Sequence, residues 1–247
     1  MTASLLTLVA LLASAFASMA AYAFLGRRRD PDASRKQTRF VLGLGSFLMH
    51  WFLWILTPIE ALSLRLGARP DAFNFAGLGF GLLSGILIGT GRLELGGGAI
   101  ALGGVCDILD GRLARAHKIE SDYGKFIDST LDRFVEVFAF LGLVFYLRPH
   151  TWGLLVAAAA ITGSLLVSYA RARGESVGVL CKEGLMQRAE RLTLSCLACL
   201  FDPALTAHFQ WVPGSVLLWV LLLIAVGTFL TAAQRTVWIA LRLRRQG

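Results

Sequence analysis

The chain has 247 residues, 56% of them hydrophobic, with 24 Lys and Arg against 16 Asp and Glu for a formal charge of +8. Apolar residues at that density, gathered in long runs, exclude an ordinary soluble domain. No helix-turn-helix, zinc-finger or RNP pattern accompanies the positive charge, so it points to cytoplasmic loops and anionic headgroups and away from nucleic acid.

Residues 2–25 are apolar and long enough to span a bilayer. They lack a positively charged start, and Arg27, Arg28 and Arg29 follow at once. That pattern predicts a retained transmembrane anchor with its N-terminus outside, not a cleaved signal. A polar, basic linker over 30–39 completes a first unit, residues 1–39. Residues 40–67 are apolar and rich in Trp, yet basic segments flank them on both sides (30–39 and Arg65/Arg69). Both flanks belong on the cytoplasmic side, so the segment is expected to lie in the interface, with an elbow at Thr57-Pro58. A crossing helix is the alternative.

Residues 68–247 form the main unit. Spans are expected at about 72–90, 95–116, 122–147, 152–173, 185–205 and 213–241. The links at 91–94 and 148–151 are short, which makes their helices antiparallel neighbours. Alternating the ends places Arg65, Arg69, Arg115, Lys118, Arg171, Arg173, Lys182, Arg188, Arg242, Arg244 and Arg245 on one side. The other side keeps Arg92 and Arg148, so the first faces the cytoplasm. The fold expected is an all-α integral membrane protein with six core transmembrane helices, an N-terminal transmembrane anchor and an interfacial helix. Gly77, Gly81, Gly85 and Gly89 recur at steps of four and predict close helix packing. Cys196 and Cys199 form a CxxC in an apolar run without a nearby His, which reads as packing.

Against this apolar background stand Asp107, Asp110, Asp128 and Asp132. An Asp at the centre of a membrane helix costs about 2.5–3.5 kcal/mol on insertion scales. Asp107 and Asp110 are an i, i+3 pair on one helix, and Asp128 and Asp132 an i, i+4 pair on the next, so each pair shares a face. Counted from the turn at 117–121, Asp110 and Asp128 lie about 9 Å deep and Asp107 and Asp132 about 14 Å deep. Four carboxylates converging at matched depth, with no His beside them, suit Mg²⁺ or Mn²⁺, and two ions fit such a set. Gly111 and Gly124 remove side chains beside the ligands. Arg115, one turn further on, is placed to meet a phosphate at headgroup level.

These residues spell D-x2-D-G-x2-A-R-x8-G-x3-D-x3-D from Asp107 to Asp132. The pattern resembles the signature of the CDP-alcohol phosphatidyltransferases at all of its specified positions. The resemblance covers about residues 55–241 and makes the main unit a six-helix domain of that family. It implies transfer of a phosphatidyl group from CDP-diacylglycerol, or a similar CDP-lipid, to a small alcohol, with release of CMP. It further implies that Asp107, Asp110 and Asp128 are metal ligands. Asp132 would be the general base for the acceptor hydroxyl and also a ligand. Gly111, Arg115, Ser121 and Gly124 would face the CDP-lipid, and the enzyme would be a homodimer in the cytoplasmic (inner) membrane with its site open to the cytoplasm. One position departs: the family's Pro-Asn entering the first core helix is Pro70-Asp71 here, with Asn74 one turn on.

The stretch Ser168-Tyr169-Ala170-Arg171-Ala172-Arg173 resembles a run in the branch that uses inositol phosphate. Arg171, Arg173, Lys182, Arg188 and Arg191 are the expected grip on an acceptor phosphate. Inositol 1-phosphate is the first acceptor expected and glycerol 3-phosphate the second, with an uncharged or zwitterionic alcohol as a further alternative. Outside the class stand a divalent-cation transporter, which would place acids at mid-bilayer with access from both sides, and a silent scaffold, which would be expected to lose an Asp.

Overall fold

The computed structural model describes residues 3–25, 44–118, 121–181 and 183–245. Among them it shows helices and turns and no strand: α1 Ala3–Leu25, α2 Leu44–Arg65, α3 Pro70–Gly89, α4 Leu93–His117, α5 Asp122–Leu147, α6 Gly153–Ser176, α7 Arg188–Phe209 and α8 Ser215–Arg244. The arginines 27–29, the linker 30–39 and Lys182 lie outside the described residues. Five of the helices (α2 from Phe47 onward, α3, α6, α7 and α8) are long and apolar enough to cross a membrane. The chain is an all-α integral membrane protein. The two helices that carry the aspartates, α4 and α5, are as long but hold more charge.

The expected elbow at Thr57-Pro58 is not a break: α2 runs through Pro58. A proline removes one main-chain hydrogen bond from a helix. Here Leu53, Leu56 and Ser63 are buried on either side of it, and the Thr57 and Ser63 hydroxyls donate back to Leu53 O and Ile59 O. Leu56 packs with Leu109 and Leu113 of α4, and Arg112 donates to Glu60 at 2.6 Å. That face ties α2 to the helix of Asp107 and Asp110. The Trp51 indole donates to Ser18 Oγ and Tyr22 packs on Phe47 and Trp54, which joins α1 to α2.

The core lies where α3, α4, α5, α6, α7 and α8 meet, around Ile88, Ile100, Phe140, Leu143, Leu147, Leu217, Leu221 and Ile224. The glycine stripe on α3 works as expected. A Cβ at Gly81 would meet Val135 Cα of α5 at 2.8 Å, and one at Gly85 would run into the Phe138 carbonyl. Gly142 of α5 is the reciprocal contact, facing the Gly85 backbone. The wall is main chain and cannot rotate away, so Gly142→Ala is expected to cost about 1–3 kcal/mol. A fall in thermal unfolding temperature in detergent would register it; no fall would mean that α3 and α5 are not held this close. Cys196 donates to Gly97 O across the α4–α7 contact, a packing role.

At the opposite end of the bundle from the aspartates, Asp202 of α7 is completely buried. Its two oxygens accept from the main-chain N–H groups of Gly214, Val216 and Leu217. These are the donors that the start of a helix leaves without partners, and a carboxylate suits them. The acid therefore caps α8 from the neighbouring helix.

Candidate active site

α4 ends at His117, with Lys118 in the left-handed conformation (φ 56°), and α5 starts at Asp122. The chain reverses there, so the two Asp-bearing helices run back from a common end. Ser121 is the N-cap of α5: its Oγ accepts from Gly124 N at 3.1 Å. The pairing explains both residues locally, as a cap and the amide it satisfies, whatever else they meet.

Asp107, Asp128 and Asp132 come together. One carboxylate oxygen from each lies within 4.8 Å of the others. Asp110, one turn along from Asp107, stands just outside this triad, 6% exposed and within electrostatic reach of Asp107 and Asp128. The donor set is carboxylate oxygen throughout, gathered from two helices in a partly buried place. That chemistry fits a hard divalent cation such as Mg²⁺ or Mn²⁺ and does not fit zinc, which would draw on His or Cys. Gly111 lies under Arg115: a Cβ there would meet only the guanidinium, at 3.3 Å. A guanidinium thus covers the backbone at Gly111 beside the acids.

The arginines divide. Arg188, at the start of α7, reaches into the cluster. Its Nη1 donates to Asp107 at 2.9 Å and its Nη2 lies 2.6 Å from Asp132. Arg171 is exposed and paired with Glu175 on its own helix, and Arg173 donates to the Ser176 hydroxyl. Both stand at the same end of the bundle as the aspartates. Arg191 sits elsewhere than expected. It is 1% exposed and bound to Glu136 through Nε at 2.6 Å and Nη2 at 2.9 Å. A guanidinium fully engaged inside the bundle is not presented to an incoming phosphate. Arg133 donates to Ser129 O and lies 3.9 Å from Asp132.

Three features lay outside the residues singled out from sequence. Glu136 extends the Asp128–Asp132 stripe by one more step of four, a regularity visible in the sequence. Glu60 is the partner of Arg112. Arg235 of α8 is buried and donates to Glu183 O of the α6–α7 connection and to Val167 O of α6, tying both to α8. The last two had no local signal, because each partner comes from a distant segment.

The CDP-alcohol phosphatidyltransferase family model matches residues 70–227, which contain all four aspartates. The chain belongs to that family of membrane transferases. It is similar to the phosphatidylinositol phosphate synthase of Streptomyces avermitilis, 35% identical over 78% of this chain and 81% of that one. It is also similar to the archaetidylinositol phosphate synthase of Methanothermobacter thermautotrophicus, 30% identical over 75% of this chain and 90% of that one. In three dimensions it resembles the Mycobacterium tuberculosis phosphatidylinositol phosphate synthase crystallised with CDP-DAG bound. That match has a TM-score of 0.66 at 26% identity and covers 75% of this chain and 93% of that one. The same enzyme in complex with manganese and citrate gives a TM-score of 0.65 at 28% identity, over 74% and 88% of the two chains.

Proposed function

We propose that this protein is a phosphatidylinositol phosphate synthase, moving the phosphatidyl group of CDP-diacylglycerol onto the hydroxyl of an inositol phosphate and releasing CMP. The observation that carries this reading is the carboxylate triad of Asp107, Asp128 and Asp132, with Asp110 beside it, inside the family's signature. The relatives named above, bacterial and archaeal, share inositol phosphate in their names, which supports that acceptor.

Asp107, Asp110, Asp128 and Asp132 would hold two divalent ions, Mg²⁺ or Mn²⁺, whose Lewis acidity offsets the charge that gathers on the pyrophosphate. Asp132 takes the proton of the acceptor hydroxyl as its oxygen attacks the phosphorus that bears diacylglycerol. The new P–O bond forms, the pyrophosphate P–O bond breaks, and CMP leaves with the electron pair. Arg115, over Gly111, is placed to steady the pyrophosphate, with Ser121 and Gly124 at the rim. Arg188 is the acceptor-phosphate residue nearest the reacting atoms, and Arg171 and Arg173 supply positive charge at the same end of the bundle.

The aspartate end of the bundle faces the cytoplasm in this reading, because Arg65, Arg69, Arg115, Arg171, Arg173, Arg188, Arg242 and Arg244 gather at helix ends on that side. α1 is a membrane anchor with its N-terminus outside, α2 a helix of the interface, and the working unit a homodimer among membrane lipids.

The test is CMP release by the detergent-purified protein from CDP-diacylglycerol with Mg²⁺ or Mn²⁺. Inositol 1-phosphate, glycerol 3-phosphate, inositol and serine are offered in turn. Release that requires inositol 1-phosphate is the expected result. Release with another acceptor alone would replace the substrate, and no release with any acceptor would sink the proposal.

A further inference from the structure

α5 and α7 are joined by two ion pairs about one helical turn apart. Nearer the opening, Arg188 meets Asp132 and Asp107. Further in, Arg191 meets Glu136. The spacing follows from the sequence: Glu136 is four residues after Asp132, and Arg191 three after Arg188, so each helix presents both rungs on one face. The rungs differ in wetness. Arg188 keeps 22% of its side-chain surface and Asp132 17%, whereas Arg191 and Glu136 keep 1% each.

Net stability does not account for the inner pair, since two well-packed apolar side chains generally do as well in such a place. A bidentate guanidinium–carboxylate contact does fix geometry, because both N–H vectors must meet both oxygens at once. Arg191 also reaches past the helix: its Nη1 donates to Met186 O at 3.1 Å. Met186 is held from the other side as well, its N–H donating to Thr231 Oγ1 of α8 at 3.0 Å. Two residues after Met186 comes Arg188. The approach to α7 is therefore fastened at a buried point directly before the arginine that enters the carboxylate cluster.

We infer that Glu136 and Arg191 are positioning residues, which hold the start of α7 so that the Arg188 guanidinium stays at Asp107 and Asp132. Neither touches substrate; they act through Arg188. The inference rests on the proposed function for what Arg188 does, namely meeting the acceptor phosphate. Its geometry is independent of which acceptor that is.

The full-length protein in detergent allows a direct test with Glu136→Met/Arg191→Met, which keeps the volume and removes both charges, and Arg191→Lys, which keeps the charge but loses the fork. Both should unfold close to the native temperature. Each should raise KM for inositol 1-phosphate at least tenfold and leave KM for CDP-diacylglycerol within twofold. In an Arg188→Met background the same changes should add nothing, as expected when one residue acts through another. A second readout needs no turnover. Mn²⁺ titration followed by electron paramagnetic resonance should show tighter binding in Arg188→Met, because a cation no longer competes for Asp107 and Asp132. The Glu136/Arg191 variants should shift the same way, again without adding to Arg188→Met. Unchanged acceptor KM and unchanged Mn²⁺ binding, or effects that add fully to those of Arg188→Met, would overturn the inference. If the native protein released no CMP with inositol 1-phosphate, the substrate reading would fail. The Mn²⁺ series alone would then decide the positioning role.

Discussion

Asp132→Asn is expected to lower acceptor-dependent CMP release by a factor of about 10²–10⁴, the usual contribution of a positioned general base. The change replaces one oxygen by an amide of the same shape, so packing against Arg188 survives and Arg188 keeps Asp107 as its second partner. What goes is the ability to take a proton from the attacking hydroxyl. Asp128→Asn makes the contrast. Both variants remove one of the three converging oxygens and should weaken Mn²⁺ binding, but Asp128→Asn leaves the proton acceptor in place, so its turnover should recover where metal saturates. Native and variant proteins compared at saturating metal and substrates separate the two roles. Asp132→Asn retaining activity within tenfold of native would remove Asp132 from proton transfer.

Arg191→Ala is expected to destabilise the protein by about 3–5 kcal/mol, the range found when one member of a buried pair is deleted and the other charge is stranded. Glu136 is 1% exposed and lies in the middle of α5, where water does not reach it. The Met/Met replacement should come out near neutral for stability by the same reasoning. The contrast between the single truncation and the double apolar replacement, measured by denaturation in mixed micelles, carries the argument. A loss below about 1 kcal/mol for Arg191→Ala would mean that solvent enters the α5–α7 contact.

The aspartate site was legible because its chemistry constrains both identity and spacing. Acidic residues at helical intervals on two helices joined by a turn bring hard oxygens together, and the hairpin of α4 and α5 does so. Residue count along a helix gives depth but not the placing of each carboxylate around the axis, so Asp110 stands beside the triad while the other three close up. The arginines were less legible for a physical reason. Positive charge at the cytoplasmic ends of helices has one signature whether a side chain faces headgroups, substrate or protein. Arg191 therefore read like Arg171, although one is sealed against Glu136 and the other pairs in the open with Glu175. Glu136 could have been found by continuing the four-residue stripe into the apolar half of α5. At Pro58 the helix continues without a break, held by packing on both sides of the proline that the local sequence does not reveal. Contacts such as Glu60 with Arg112 depend on how the chain returns on itself, and no local pattern announces them.

The cap that Asp202 places on α8 bears on the order in which the bundle is made. A helix entering a bilayer brings first-turn N–H groups that the hydrocarbon cannot satisfy. For α8 the acceptor lies 12 residues earlier than Gly214, on the helix synthesised just before it. The partner is complete before the donors emerge, so this hairpin can close during synthesis without waiting for α3 or α5. The α7–α8 pair thereby has the means to enter the membrane as one unit, closed at the end remote from the aspartates and still open where Arg188 has to find them.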